Sequence, residues 1–441
     1  MLTATGGLPR ATRAATRFQS LVADHPADVA LEWFQLALDL IQETAGFTPP
    51  VAARAFGYMG VTLYETLSAG IPDRPSLDGR LNDYTNPPVF LTQAAHWPAA
   101  ANAALATIVR ALFPTATGAN RARIDQVEAA FLQDFTAGTS TRQLQRSISA
   151  GQQVARHVFD WAMDDGGHEG YLNNFPNTYV PPVGSGLWVP TSPGFQPALQ
   201  PFWGDNRSFT LQSNDQFDPG PPPPFSTNPA SVFFAEAWEV YETVNNLTDE
   251  QRDIAIFWAD DPVATSTPPG HSISILTQVL ASLGSDLAMA AEAYLKVGIA
   301  VADAFISCWK CKYAYNLLRP ISYIQAHIDA SWGNPLPVST PPFPEYTSGH
   351  SVQTGAFAQI AEHLFGNLAF TDHTHDALGL APRMFDSWSE LAEETAISRL
   401  YGGIHYRAAI DLGVVQGVAL GEHVAHTLDG TTPPGRGRWR G

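Results

Sequence analysis

The chain has 441 residues, of which 45% are hydrophobic and 15% charged, a composition typical of a globular protein with one large or two modest cores. Its net charge of −18 argues against a nucleic-acid partner, because the only basic cluster is the short segment 436–440. It contains no run of 18 or more apolar residues and no apolar signal segment at the N-terminus. We therefore expect no membrane span and a cytoplasmic location, unless a leader has been removed from this sequence.

Helical periodicity dominates the first 163 residues, which we define as the N-terminal helical half. Trp33, Leu36 and Leu40 show the pattern between 26 and 45. The same spacing predicts further helices at about 50–69, 97–113, 119–137 and 141–163. Few alternating strand patterns are present anywhere, so the predicted fold class is all-α.

Residues 164–228 are rich in Gly, Pro, Asn and aromatic side chains and end in the proline run 219–225. A structureless loop of this length inside a compact domain is unusual, and it is either a linker or functional. The segment contains Trp188, Phe195, Phe202, Trp203 and Phe209, which is too aromatic for a flexible linker. We therefore predict a packed excursion, with an interdomain tether as the alternative.

Helical patterning resumes in residues 229–441, the C-terminal helical half. The predicted helices are at about 229–246, 248–259, 270–283, 286–318, 348–366, 385–401 and 406–428. Pro320 is predicted to end the long helix just after Arg319, with Lys312 and Arg319 both in its last turns. Ser348 is predicted to open a helix whose free N–H groups favour an anion.

Three short segments in this half carry groups that suit a common ligand. They are Lys312-x6-Arg319-Pro320, Ser348-Gly349-His350, and Ser398-Arg399 followed after five residues by His405. Guanidinium groups match paired oxygens and lysine adds a point charge, while a glycine lets its backbone N–H come close to an anion. Two imidazoles provide a coordinating or nucleophilic group and an acid/base. The set predicts a tetrahedral or trigonal-bipyramidal oxyanion.

This combination of motifs resembles the vanadium-dependent haloperoxidases and the related acid phosphatases, including the phosphatidic-acid phosphatase type 2 group. Further stretches are similar to the bacterial haloperoxidase branch. They are the segments 188–195, 201–204, 267–271 and 343–346. The resemblance covers most of residues 180 to 430, and it implies two four-helix bundles with extra helices and an oxyanion site in the core of the second bundle.

The resemblance also assigns roles to the motif residues. His405 would bond vanadium in a haloperoxidase, or act as the phosphohistidine nucleophile in a phosphatase. His350 would be the acid/base, and Ser348 and the Gly349 amide would bind equatorial oxygens. The charge of the anion would be balanced by Lys312, Arg319 and Arg399.

Three further positions follow from the same resemblance. Lys312 would also polarise bound peroxide, and Trp309 and Phe343 would line the halide side of the pocket, although either residue is more often plain core. The family usually has an Asp four residues after the histidine, but Ala409 stands there, so the partner that orients His405 is open.

Other polar groups are interpreted as structural. His271 is expected to be structural, with an approach to the pocket entrance as the alternative. The segment 372–376 contains two Asp and two His, but it has the character of a solvated loop with no partner cluster for a metal. Cys308 and Cys311 are expected to be reduced, partly buried thiols.

Two functions remain open from the sequence. The leading one is a vanadate-dependent haloperoxidase whose partners are hydrogen peroxide, a halide ion and a small organic acceptor. The alternative is a soluble phosphohydrolase, because phosphate can occupy the same site and the same polar groups serve both reactions. A catalytically silent helical scaffold would require the motif residues to be dispersed. The halide preference and the organic substrate stay open, as does a homo-oligomer.

Overall fold

The computed structural model describes residues 21–88, 95–333 and 336–431 and is predominantly helical. The basic cluster at 436–440 lies outside these residues. The described chain contains α1 (Asp28–Glu43), α2 (Pro49–Leu67), α3 (Trp97–Leu112), α4 (Gly118–Thr136), α5 (Thr141–Met163), α6 (Val232–Asn245), α7 (Asp249–Phe257), α8 (Thr267–Ser282), α9 (Leu287–Tyr315), α10 (Pro320–His327), α11 (Gly349–Phe365), β1 (Phe370–Asp372), β2 (Arg383–Phe385), α12 (Trp388–Tyr401) and α13 (Arg407–Asp429). The all-α prediction is confirmed.

Most helices begin at a residue whose side chain accepts the first free backbone N–H groups. Examples are Thr117 before α4, Ser140 before α5, Thr248 before α7 and Asp286 before α9. In α2 and α10, proline in the first turn supplies a pre-set backbone angle instead. Periodicity predicted twelve of the thirteen helices of the described chain. Capping residues and prolines explain why the predicted ends lie within a few residues of the observed ones.

The helices form two packed groups that share the 29-residue helix α9. In the first group α2 packs along α9, and α3 packs on α5, α2 and α1. In the second group α11 packs on α13, α9 and α12. Two glycines permit the closest approaches: a Cβ on Gly60 would meet the Tyr294 carbonyl at 2.4 Å, and one on Gly417 would meet the Val352 carbonyl at 2.1 Å. This arrangement agrees with the predicted pair of four-helix bundles.

The excursion 164–228 is packed onto the helices and held by buried hydrogen bonds. Trp188 and Phe209 are buried, and the backbone N–H groups of Phe209 and Thr210 donate to the buried carboxylate of Asp303 in α9 at 2.7 and 2.9 Å. Phe195 and Phe202 are exposed, so the aromatic content is only partly core. An anchored segment of this kind agrees with a packed excursion and not with a tether.

The turn after α9 differs from the prediction. α9 ends at Tyr315, because Asn316 adopts a left-handed backbone conformation (φ 47°) that stops the helix. Arg319 is therefore not in the last turn of α9. It is the N-cap residue of α10, and Pro320 begins that short helix instead of ending the long one. The two cations thus come from different elements.

Two small elements were not predicted from sequence. They are α10 and the antiparallel pair β1–β2, in which Phe370 pairs with Phe385. Across the described residues, no helix combines the length and apolar character needed to cross a membrane.

Candidate active site

The motif residues lie where helices of the second group begin and end. Lys312 is in the last turn of α9, and Arg319 precedes α10. Ser348 caps α11, so Gly349 and His350 are in its first turn. Arg399 is near the end of α12, and His405 lies in the turn between α12 and α13. That turn is sharp because Gly403 has a positive φ of 74°.

A pocket of about 440 Å³ brings several of these residues together. Gly349, His350, Arg399 and His405 belong to its polar lining, which also includes the carboxylates of Asp260 and Asp261. Its other walls are mainly apolar and include Phe175, Phe305, Trp309, Val338 and Phe343. Ligand pockets with apolar walls and a few convergent polar groups are the usual form of a small-molecule site. Trp309 and Phe343 therefore line the pocket.

The guanidinium group of Arg319 lies beside the imidazole of His405. Its Nη1 lies 3.2 Å from Nε2 of His405 and also donates to the Ile404 carbonyl at 2.8 Å, while its Nε donates to the Phe343 carbonyl at 2.9 Å. Nη2 of Arg319 is buried and has no hydrogen-bond partner within the described chain. A buried guanidinium N–H without a partner is costly, so a bound anion beside His405 would satisfy it.

Glu345 orients His405. Its Oε1 lies 2.7 Å from Nδ1 of His405 and also accepts the backbone N–H of Tyr406 at 2.9 Å. Because Oε1 accepts both hydrogen bonds, the proton of a neutral His405 lies on Nδ1 and the lone pair on Nε2. The carboxylate that the resemblance places four residues after His405, where Ala409 stands, is here replaced by Glu345, which the sequence analysis missed.

Burial keeps His405 neutral. Burial and the nearby cations, Arg319 first, lower the pKa of His405 well below its usual value. Burial also raises the pKa of Glu345 to about 8, although Arg319 and Lys312 oppose that shift. Burial is the main cause of both pKa shifts, because a dry site disfavours the imidazolium and the carboxylate alike. The Nε2 lone pair of this neutral His405 faces Nη1 of Arg319, and it can bond a metal or attack phosphorus when that N–H turns to a bound anion.

Lys312 is fully buried, and its Nζ donates to the backbone carbonyls of Pro344, Glu345 and Thr347. The ammonium also lies 5.0 Å from the ring centre of Phe343. Burial lowers the pKa of Lys312 to about 8, helped by the neighbouring Arg319 charge. All three ammonium protons are used in this arrangement, so Lys312 holds the segment before Ser348 in place as well as adding charge.

Arg399 is held by α12 and by the segment before α8. Its Nε donates to Oγ of Ser398 at 2.9 Å and its Nη2 to the carbonyl of Trp258. His350 also hydrogen-bonds the backbone of Trp258, but burial, followed by the charge of Arg399, lowers its pKa well below the usual value. Nε2 of His350 is buried without a hydrogen-bond partner among the described residues. His350 therefore has a free nitrogen for a ligand or a proton.

Ser348 and Gly349 form the start of α11. Ser348 donates its backbone N–H to the Ala409 carbonyl at 3.0 Å, and its Oγ accepts the Ser351 N–H at 3.3 Å. A Cβ on Gly349 would meet only a ring carbon of Trp309, at 3.7 Å. A side chain there would occupy the pocket, whereas glycine leaves the helix N-terminus open to an anion. The prediction that Ser348 opens a helix is confirmed.

The structural interpretation of His271 agrees with its surroundings, whereas the solvated interpretation of 372–376 holds only in part. His271 is buried between Asp260 and Asp372, at 2.8 and 2.7 Å, and not at the pocket entrance. His375 is also buried, so the interpretation of 372–376 as a solvated loop holds only for His373 and Asp376, which are about half exposed. In the folded chain, Asp260 and His271 lie beside Asp372 and His375, a grouping that the sequence did not reveal.

The two cysteines are fully buried and unpaired among the described residues. The Cys308 thiol faces the Thr347 carbonyl at 3.5 Å, and burial raises the pKa of both thiols. Reduced, buried thiols agree with the sequence interpretation, although burial is complete and not partial.

The fold and the pocket define a helical protein with a buried site of cations and histidines. Residues 292–431 match the model of the VCPO second helical-bundle domain. A bacterial vanadium-dependent iodoperoxidase of known structure is 36% identical, with a TM-score of 0.82, over 91% of this chain and 96% of that one. The chain therefore belongs to the vanadium-dependent haloperoxidase family.

Two more distant relatives agree at the level of fold or of the shared domain. A bacterial vanadium-dependent chloroperoxidase is 15% identical over 88% of this chain and 93% of that one, with a TM-score of 0.66. The vanadium chloroperoxidase of Curvularia inaequalis is 26% identical over 34% of this chain. The match spans 35% of the length of that curated relative.

Proposed function

We propose that the protein is a vanadate-dependent haloperoxidase. It would use hydrogen peroxide to oxidise a halide to hypohalous acid, so that one peroxide, one halide and one proton give hypohalous acid and water. The halide loses two electrons and the oxygen–oxygen bond accepts them. The observation that carries the proposal is the Arg319–His405–Glu345 arrangement at the pocket base, which leaves a neutral imidazole nitrogen and a buried, unpartnered guanidinium N–H for one anion.

The buried groups fit vanadate. Three cations, Lys312, Arg319 and Arg399, match a multiply charged oxyanion, and the unpartnered Nε2 of His350 adds a hydrogen-bonding group. When bound, vanadate supplies a Lewis acid that activates peroxide without changing its own oxidation state. Phosphate has the same shape and charge type, so it can occupy the site as well.

Each residue then has a distinct task. His405 bonds the metal through Nε2, and Glu345 fixes its tautomer. His350 holds or moves a proton beside the anion. The Gly349 amide and the Ser348 hydroxyl would bind oxygens of the anion, for which the Ser348 hydroxyl would turn from its present role as a cap. Lys312 stabilises developing charge from behind the segment it anchors.

The pocket walls suit the remaining partners. Trp309 and Phe343, with rings 5.0 Å apart, give a weakly hydrated surface for a large, polarisable halide. The apolar walls that include Phe175, Phe305 and Val338 would accommodate a small organic acceptor. We also propose that the N-terminal half (1–163) and the excursion (164–228) serve as a frame for the site-bearing half (229–441).

The phosphohydrolase alternative uses the same groups, but the full-length likeness to a vanadium iodoperoxidase favours oxidation. The deciding experiment removes bound anions, adds vanadate, and measures halogenation of a phenol reporter with peroxide and each of chloride, bromide and iodide. Hydrolysis of a generic phosphomonoester by the vanadate-free protein is measured alongside. We expect vanadate-dependent halogenation with at least one halide and little hydrolysis.

The His405→Ala variant is the matched control, because it removes the nitrogen that bonds the metal while leaving the three cations. Halogenation should disappear in this variant. Efficient ester hydrolysis with no oxidation of any halide would replace the proposal with the phosphatase function.

A further inference from the structure

A second buried cluster adjoins the pocket, whose lining it shares through Asp260, and it carries the opposite charge to the site of the three cations. It consists of Asp260, which follows α7, His271 in α8, and Asp372 and His375 in the loop from β1. All four side chains are at most 4% exposed. Nothing in the proposed reaction uses these residues, so the cluster needs its own explanation.

The ligand atoms of three members face a common point. One atom each from Asp260, His271 and His375 lie within 4.8 Å of one another. Tetrahedral ions with bonds of about 2.0–2.2 Å have ligand atoms roughly 3.4 Å apart. Small side-chain rotations therefore suffice to bring two nitrogens and one carboxylate oxygen onto a single ion.

The fourth member, Asp372, is placed to orient a metal-binding histidine. Its Oδ2 lies 2.7 Å from Nε2 of His271, and its Oδ1 accepts the Thr374 N–H at 2.9 Å. Donation of Nε2–H to Asp372 leaves Nδ1 of His271 as the free nitrogen, on the side where Asp260 lies at 2.8 Å. Carboxylates behind metal-binding histidines commonly perform this task.

Aromatic rings fix the planes of both imidazoles. Trp258 stacks on His271 with ring centres 4.5 Å apart, and Phe257 contacts His375 edge-on at 5.0 Å. Rings held in this way lose little side-chain freedom on binding an ion, which is the preorganisation that a metal site requires.

Charge and hydrogen bonding favour a cation over a proton in this cluster. With His271 as an imidazolium, which carries a proton on both ring nitrogens, the two carboxylates leave a net charge of −1 in a dry interior. Oδ1 of Asp260 lies 3.2 Å from Nε2 of His375, yet it makes no hydrogen bond of acceptable geometry within the described chain. A divalent ion on Asp260, His271 and His375 would give zero net charge and a ligand for that oxygen.

We propose that Asp260, His271 and His375 form a site for a divalent transition-metal ion, with Asp372 as the positioning residue. Two imidazoles and one carboxylate favour zinc-type ions over calcium or magnesium, which prefer oxygen ligands. Vanadate is excluded, because the carboxylates would repel an oxyanion. The ion would fix the segment whose Trp258 carbonyl accepts a hydrogen bond from Arg399 and whose Asp260 also lines the pocket, so the metal site would adjoin the pocket and support it.

The test uses untagged, full-length protein that has been stripped with a chelator and kept free of vanadate and phosphate. Titration with zinc alone, followed by calorimetry and elemental analysis, should show one tightly bound ion per chain. Cobalt alone should give the visible absorption of a four-coordinate site. Absence of stoichiometric zinc and of that absorption would overturn the proposal and leave the cluster as an ion-pair network.

Two variants of one loop localise the ion. His375→Ala should weaken zinc binding at least tenfold, the lower end of what loss of a metal-site partner causes. His373→Ala is the matched control, because His373 is exposed and bonds only Asp376; it should bind zinc as the parent does. Equal zinc affinity in His375→Ala and His373→Ala would place the ion elsewhere. Because metal content is measured directly, failure here is separable from failure of the haloperoxidase proposal.

Discussion

Two buried polar clusters contact the same short segment, 257–261, and their charges have opposite sign. On one face, Arg399 donates to the Trp258 carbonyl, and Lys312 and Arg319 lie deeper in the same cationic site. On the other face, Asp260 and Asp372 enclose His271. Each cluster contains two histidines, but their partners differ. Burial, and then cationic partners, lower the pKa of His405 and His350 and keep them neutral, whereas anionic partners raise the pKa of His271 to about 10 against the effect of burial.

Histidine side chains can thus serve ligands of opposite charge, according to the charges around the imidazole. A neutral imidazole among cations bonds the centre of an oxyanion, and an imidazole among carboxylates holds a proton or a cation. Substitutions among the cationic residues and their histidines test this dependence on charge.

The largest effect is expected at His405. His405→Ala removes the Nε2 that we propose bonds vanadium, so stoichiometric vanadate binding should be lost. His350→Ala should retain binding but lose about a hundred- to ten-thousand-fold in turnover, the typical contribution of an acid/base. Equilibrium dialysis with vanadate and steady-state halogenation separate the two. Parent-like vanadate affinity in His405→Ala would contradict the assignment.

The contrast between the clusters also shows what sequence reasoning could reach. The cations and histidines of the three motifs stand at fixed spacings within short segments, so a single chain reveals them. Glu345 and His405 are 60 residues apart, and His271 and Asp372 are 101 apart. Such pairs depend on how helices pack, which periodicity does not fix.

The sequence pattern gave the wrong helix boundary where one proline was compatible with two structures. Proline after Arg319 is compatible with the end of one helix or the first turn of the next, and the deciding residue was Asn316, whose backbone is left-handed. Strands of three residues, as in β1 and β2, are too short to show an alternating pattern.

The second effect concerns Lys312, whose charge is buried on the cationic side. Lys312→Met keeps the length of the side chain but removes the ammonium that contacts three carbonyls. We expect halide oxidation to fall by roughly a hundred-fold or more, as for loss of a preorganised electrostatic contact. Any ester hydrolysis should fall less, because Arg319 and Arg399 remain.

Lys310→Met is the matched control for this change. Lys310 is on the same helix but exposed, and it pairs with Asp205 at 2.6 Å. It should behave as the parent in both assays. If Lys312→Met lowered the unfolding temperature but left oxidation intact, the role of the lysine would be limited to stabilising the segment 344–347.

The third effect distinguishes orientation from charge at Glu345. Glu345→Leu removes the acceptor for His405 Nδ1–H and should lower vanadate affinity about 10- to 100-fold, as for other partners that orient metal-binding histidines. Glu345→Gln keeps an oxygen acceptor and should lose much less. Dialysis with vanadate measures both variants. Equal losses in the two would show that the negative charge, and not the tautomer, is what His405 requires.

The smallest effect is a pH dependence from Lys312. Burial, and then Arg319, lower the pKa of Lys312 to about 8 in the anion-free protein, and a bound anion favours the ammonium and raises it again. The sign follows: the lysine contribution to vanadate affinity is complete below pH 8 and declines above it, by at most about tenfold per pH unit. Vanadate itself ionises in this range, so the informative quantity is the difference between the parent and Lys312→Gln. That difference should be constant below pH 8 and shrink above it, because only the parent has a charge to lose. A difference that stays constant to pH 10 would mean that Lys312 remains fully charged when no anion is bound, and that its three carbonyl contacts outweigh burial.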